Sequence, residues 1–199
     1  WTQIDGRVVP LSVDEVSAEA LAVTPGQHAD LINWFHWNDT NAFPFDEASD
    51  PRLGAVVRST PALLGRPDMD LPFQGYQGPS EDSAHFKARH RDRPTVALFG
   101  ANDALLHAFV LAQHEDDSRT SDQRPELWSY LPGFFLDKAQ RVASGAAGHS
   151  YVDASPVVRT VRMRRTAETP EEEIRDELWR DVVVGGTGPG GPFWYALDV

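Results

Sequence analysis

The sequence predicts an α+β fold: a single helix-rich domain spanning residues 1–199, with a small sheet that includes a C-terminal hairpin. Three observations lead there. Helix-capping signals and helical apolar spacing crowd the first two thirds of the chain, a strand-like alternation runs from Val157 to Met163, and a glycine-rich stretch from Gly185 to Gly191 separates two apolar runs near the end. A chain of 199 residues with 41% apolar side chains can bury one sizeable core and is short for two.

Ser12 with Glu15 forms a capping box ahead of Val16, Ala20 and Leu21, which predicts a short amphipathic helix. Thr24-Pro25 opens a second, which carries Leu31, Ile32, Trp34 and Phe35 toward the core and ends near Asn38-Asp39. Thr60-Pro61 reads as another short helical turn. The Gly, Pro and Asp content from Gly65 to Pro79 excludes long regular structure, and Ser80 to Arg91 reads as an exposed helix with Phe86 its one large apolar residue.

Thr95 to Phe99 is an apolar run closed by Gly100, followed by a helix start at Asn102-Asp103 that extends to His114. Glu115 to Arg124 is a polar loop, Pro125 leads into Leu127, Trp128 and Leu131, and Pro132-Gly133 interrupts the run. Phe134 to Ala143 is a helix closed by Gly145. Val157 to Met163 is a strand, Thr169-Pro170 with Glu172 caps a helix carrying Ile174, Leu178 and Trp179, and Val182–Val184 with Phe193–Leu197 form the hairpin.

Charge bounds the partners. The formal net charge is −12, so nucleic-acid backbones and anionic membrane surfaces are repelled, while a basic protein or a local anion pocket remains open. There is no cysteine, which excludes disulfides, thiolate metal sites and a cysteine nucleophile and fits a cytoplasmic setting. No run approaches the roughly 18 apolar residues of a membrane span. Only Lys87 and Lys138 are lysines among 18 basic residues, a bias expected of a GC-rich, bacterial genome. The chain opens at Trp1 rather than Met, which leaves room for a leader or upstream region.

Four candidate sites emerge. On a helix from Asp103, His107 falls at about 40° and His114 at about 20°, so the three share one stripe. Asp103 and His107, at i and i+4, converge as an acid–base or metal pair, whereas His114 lies roughly 10 Å beyond His107 along the axis. The same stripe also suits a solvated helix face. Two basic islands, Lys87, Arg89, Arg91 and Arg93, and then Arg159, Arg162, Arg164 and Arg165, supply guanidinium groups for a carboxylate or phosphate; charge balance against Glu171 to Glu177 is the plainer reading. Trp37, on the side of its helix away from Leu31 and Phe35, is either a ligand anchor or core under Phe43 to Phe45.

Gly148-His149-Ser150-Tyr151-Val152 resembles the nucleophile elbow of the α/β-hydrolases in four positions, but Val152 stands where the strained turn needs glycine, and no strand precedes it. The 185–191 glycines lack the Gly-Lys-Ser/Thr ending of a phosphate loop. No complete cofactor or metal motif occurs. The leading expectation is therefore a soluble, acidic binding or regulatory protein that docks or neutralises a basic protein partner. The alternative is a small enzyme acting on an anionic substrate, with His107 and Asp103 moving protons and Arg162, Arg164, Arg89 and Trp37 holding the ligand.

Overall fold

The computed structural model describes residues 1–36, 53–69, 75–76, 85–112, 126–144, 151–163 and 179–199. Among these the chain is sheet-rich, with nine strands in three antiparallel sheets and only short helices. The expected helix-rich domain is thereby corrected. The cause is specific: several apolar runs bounded by turn residues fit a buried strand as well as a buried helix, and periodicity alone does not separate the two.

β1 (Thr2–Ile4) and β2 (Arg7–Val9) form a hairpin around Asp5-Gly6, both at positive φ, the primed turn that matches strand twist. Residues 11–22 then make turns instead of the expected first helix; Ser12 O accepts the Val16 N–H at 2.9 Å and the helix does not propagate. α1 (Pro25–Phe35) does form. Gln27 Oε1 accepts from the Thr24 hydroxyl and N–H, proline occupies the first turn, and Leu31, Ile32 and Phe35 are buried, with Trp34 packed partly against them. Eleven residues are marginal as an isolated helix, so these three side chains, each contributing roughly 2 kcal/mol on burial, hold it in place.

The four-stranded sheet runs β3 (Ala62–Leu64), β4 (Thr95–Gly100), β5 (Leu106–Ala112) and β6 (Glu126–Tyr130) as a meander. Thr60-Pro61 therefore leads into a strand, not a helix. The expected exposed helix before Arg91 reduces, among the described residues, to α2 (Phe86–Arg89), and Phe86 is buried against Tyr76 and Trp179. β5 is the largest departure. The residues read as the helix after Asn102-Asp103 return antiparallel on β4, Gly100 opposite Leu106 and Phe99 opposite His107. Asp103 acts as a turn residue: its Oδ1 accepts the Leu105 N–H at 3.1 Å while Ala104 sits at φ 68°. An aspartate capping a helix and an aspartate closing an Asx turn use the same carboxylate-to-N–H bond, so the sequence signal is shared.

Beyond β6, residues Gly133–Lys138 form a 3-10 helix continuous with α3 (Ala139–Ala143), close to the expected helix; Gly145 lies outside the described residues. β7 (Val157–Arg162), β8 (Trp179–Gly186) and β9 (Trp194–Asp198) make a three-stranded meander. Trp179 thus begins a strand and is not helical; the helix expected before it falls outside the described residues.

One apolar cluster takes in Leu11, Leu31, Leu98, Leu106, Phe135, Val152, Val183 and Tyr195, so both larger sheets and α1 share it. Two polar straps reinforce the contact. Arg58 donates its backbone N–H to Asp153 Oδ1 at 2.9 Å, Thr60 N–H donates to Ser155 Oγ, and the Gly100 N–H donates to Ser59 Oγ. A Cβ on Gly100 would lie 2.3 Å from Val152 O, so this approach requires glycine. In the second strap, Arg93, just before β4, binds both Gly65 O and the buried Asp181 carboxylate on β8, whose other oxygen accepts from Thr160 at 2.5 Å.

A buried pair broken on one side leaves an unpaired charge, which costs more than the pair contributes. Arg93→Met should therefore lower unfolding stability in urea by about 3 kcal/mol, and adding Asp181→Leu should recover part of that loss. A single variant within about 0.5 kcal/mol of the parent would contradict this role.

Candidate functional site

The β4–β5 turn and the first residues of β5 and β6 bring Asp103, His107 and Glu126 together. His107 points to the face of the sheet opposite Leu106 and Ala108, as strand alternation requires, and its side chain is wholly buried. Phe99, its cross-strand partner, stacks at 5.8 Å, and Phe109, two residues on, lies at 6.1 Å. A register shift between Ala108 and Phe109 sets Phe109 opposite Glu126 and Ser129 opposite His107, which leaves Glu126 diagonal to the imidazole.

The imidazole is bound at both nitrogens. Its Nδ1–H donates to Glu126 Oε1 at 2.5 Å, and its Nε2–H faces Asp103 Oδ2 and Oδ1 at 3.0 and 3.1 Å. Asp103 is itself fixed by N–H groups from Gly54 at 2.8 Å and Leu105 at 3.1 Å. Segment 53–54 presses so close that a Cβ on Gly54 would lie 2.5 Å from Asp103 N. Burial opposes charge on His107, but the hydrogen bonds to Asp103 and Glu126 and the fields of the same carboxylates outweigh it, raising its pKa from 6.5 to about 9.

At neutral pH the group is thus a carboxylate, an imidazolium and a second carboxylate in line. An imidazolium has no lone pair, so His107 in this state neither accepts a proton nor ligates a metal. The sequence expectation that Asp103 and His107 meet is met in space, through a turn and strand rather than a helix face. Glu126, 19 residues beyond His107, is the member that sequence spacing conceals; only the β5–β6 register brings it in.

The other expected residues distribute differently. Arg89 is exposed on α2 and Arg162 is exposed at the end of β7, opposite Trp179. Both flank the small Tyr76, Phe86 and Trp179 cluster, Arg89 three residues after Phe86 and Arg162 as the register partner of Trp179. Trp37, Arg164 and His114 lie outside the described residues. So do Gly148, His149 and Ser150 of the elbow-like stretch; Tyr151 and Val152 after them are buried in the core. The glycine-rich stretch closes on itself, with Thr187 Oγ accepting the Phe193 N–H and donating to Gly191 O.

No protein-family profile matches the chain, and no solved structure matches it. It is similar to a type IV pilus biogenesis factor PilY1 homolog of Xylella fastidiosa, at 30% identity over 190 residues and 89% of this chain. It is also similar to the type IV pilus biogenesis factor PilY1 of Pseudomonas aeruginosa, at 26% identity over 151 residues and 74% of the chain. In both cases the chain spans only 11% of the relative's length. A shorter similarity, 31% over 108 residues, covers 53% of this chain and 39% of a tRNA (guanine-N(1)-)-methyltransferase of Pseudarthrobacter chlorophenolicus. All three relatives are bacterial proteins, and no helix among the described residues is long and apolar enough to cross a membrane.

A histidine whose pKa is higher folded than unfolded stabilises the fold fully below the unfolded value of 6.5 and loses that contribution as pH rises through about 9. Urea unfolding between pH 6 and pH 10 should show a loss on the order of 3 kcal/mol beyond that of His107→Gln, whose profile should be flatter. Parallel profiles for parent and variant would contradict the assignment.

Proposed function

We propose that this chain is a non-catalytic, protein-binding part of a bacterial type IV pilus biogenesis factor. The observation that carries the reading is the similarity to pilus biogenesis factors of two organisms, over 74% and 89% of the chain. The physical character of the chain agrees with it. Its two larger sheets present antiparallel meanders sharing a core, and its most concentrated polar groups are spent on internal bonds, namely His107 with Asp103 and Glu126, Arg93 with Asp181, and Arg58 with Asp153.

The catalytic alternative draws less support. It needs His107 as a base, and both imidazole nitrogens are committed to carboxylates. The methyltransferase similarity covers about half the chain and would set a surface of formal charge −12 against an RNA backbone. An acidic surface instead favours a basic protein face, steering association and making it salt-dependent. The partner proposed is therefore a basic surface within the pilus machinery.

In the bacterium that encodes this chain, in-frame removal of residues 1–199 from the chromosomal copy should abolish or sharply reduce surface pili counted by electron microscopy. Purified chain should bind a pilus component of that organism at low ionic strength and release it as salt rises to about 0.5 M. Normal piliation together with no low-salt complex would overturn the reading.

A further inference from the structure

In the order β7-β8-β9 the last strand has β8 on one side and, among the described residues, no strand on the other. Thr187 N–H donates to Phe193 O and Val199 N–H to Asp181 O, one at each end of the β8–β9 ladder. Antiparallel alternation between these two bonds turns the backbone groups of Tyr195 and Leu197 toward β8. The N–H and C=O groups of Trp194, Ala196 and Asp198 therefore face outward, and no hydrogen bond among the described residues reaches them. Such a row is a template for another strand, and sheets usually guard it with proline, lysine or a bulge. Trp194–Asp198 carries none of these.

The side chains add an apolar face to this edge. Tyr195 is buried and Leu197 packs on the core, which fixes the strand, while Trp194 is 72% exposed, more than any other large apolar side chain described. Across the sheet Ala196 is the register partner of Val184, and Val184 of Val157, and all three are exposed. An apolar row thus runs from β7 to the open edge. Asp198 stands on the same face, 59% exposed, with Oδ2 accepting from Arg180 Nε at 3.1 Å.

We propose that β9 pairs antiparallel with β9 of a second copy of this chain, about a two-fold axis at Ala196. In that register Ala196 faces its own counterpart, and Trp194 of each copy faces Asp198 of the other. The indole N–H of Trp194 then meets a carboxylate acceptor, and the apolar rows of the two sheets join through Ala196. The two Asp198 side chains fall four residues apart, about 13 Å at roughly 3.3 Å per residue, beyond the roughly 10 Å over which charges act in 0.1 M salt. A partner strand of one charge sign would meet either Arg180 or Asp198 unfavourably, whereas the second copy brings a neutral donor to the acid. The contact is small, so the dimer is weak, and the net charge of −12 on each copy opposes it at long range. Salt therefore strengthens it. The inference goes beyond the pilus reading and does not rest on it, since salt releases a basic partner but favours this pairing.

Sedimentation velocity of the chain from about 5 to about 500 μM, in about 0.05 and 0.5 M sodium chloride, tests this. A shift from monomer to dimer with concentration is expected, larger at the higher salt, with slower hydrogen exchange at the Trp194, Ala196 and Asp198 amides in the dimer. Ala196→Pro removes an N–H that points away from β8, so circular dichroism should stay unchanged while association weakens by about tenfold or more. Trp194→Asp, which sets an acid against Asp198 of the other copy, should weaken it comparably. Val8→Asp, at an exposed position on β2, adds the same charge and should leave association unchanged. A monomer throughout, association that falls as salt rises, equal weakening by Val8→Asp, or a dimer insensitive to both β9 variants would overturn the proposal.

Discussion

A positive charge buried between two carboxylates organises the centre of the four-stranded sheet. Without Asp103 and Glu126, a wholly buried imidazole would be held neutral by desolvation and would leave donors and acceptors unmatched against two phenylalanine rings. With them, the turn after β4, the strand β5 and the first residue of β6 are bound to a single ring, and Asp103 extends the link to Gly54 in a distant segment. Four pieces of chain meet at one proton-bearing group. The same arrangement removes His107 from acid–base chemistry near neutrality, because stabilising the charged form takes away the lone pair that a base or ligand requires.

Arg93 and Asp181 repeat the logic between sheets. Asp181 falls on the inward face of β8 by strand alternation, between the buried Trp179 and Val183, where a carboxylate needs partners. Thr160 from the neighbouring strand and Arg93 from the mouth of β4 supply them. Pairs of this kind are weak sources of net stability and strong sources of register, since a slip of one residue would strand the charge. The apolar cluster provides the driving force, and these bonds select the arrangement of strands that shares it.

Much of the local structure is legible in the residues. Thr24-Pro25 with Gln27 starts α1 where expected, the β-branched run after Pro156 is a strand, and the apolar runs flanking the 185–191 glycines pair as a hairpin. The first hairpin is equally legible in Asp5-Gly6, a turn signal that an expectation of helices near the N-terminus passes over. The fold class is not legible by the same means, because Leu105 to Val110 sets apolar residues on both faces around His107, and such a pattern carries no clear strand period. The Asp103 to His107 spacing of four brings the pair together on a helix, and here a tight turn and strand bring it together equally well. Geometry survives a wrong element at this site. Glu126 is different in kind, since its place depends on the β5–β6 register and on a bulge that no spacing rule anticipates.

The central claim is that His107 carries both imidazole protons in the folded state at neutral pH. Nitrogen-15 NMR of histidine-labelled chain at pH 7 tests it directly, by resolving Nδ1 and Nε2 of His107 and their attached protons. The account predicts two protonated nitrogens with two slowly exchanging, strongly downfield protons, one lost in Glu126→Gln and the other in Asp103→Asn. A single protonated nitrogen at pH 7, with the other showing the shift of a free lone pair, would contradict it.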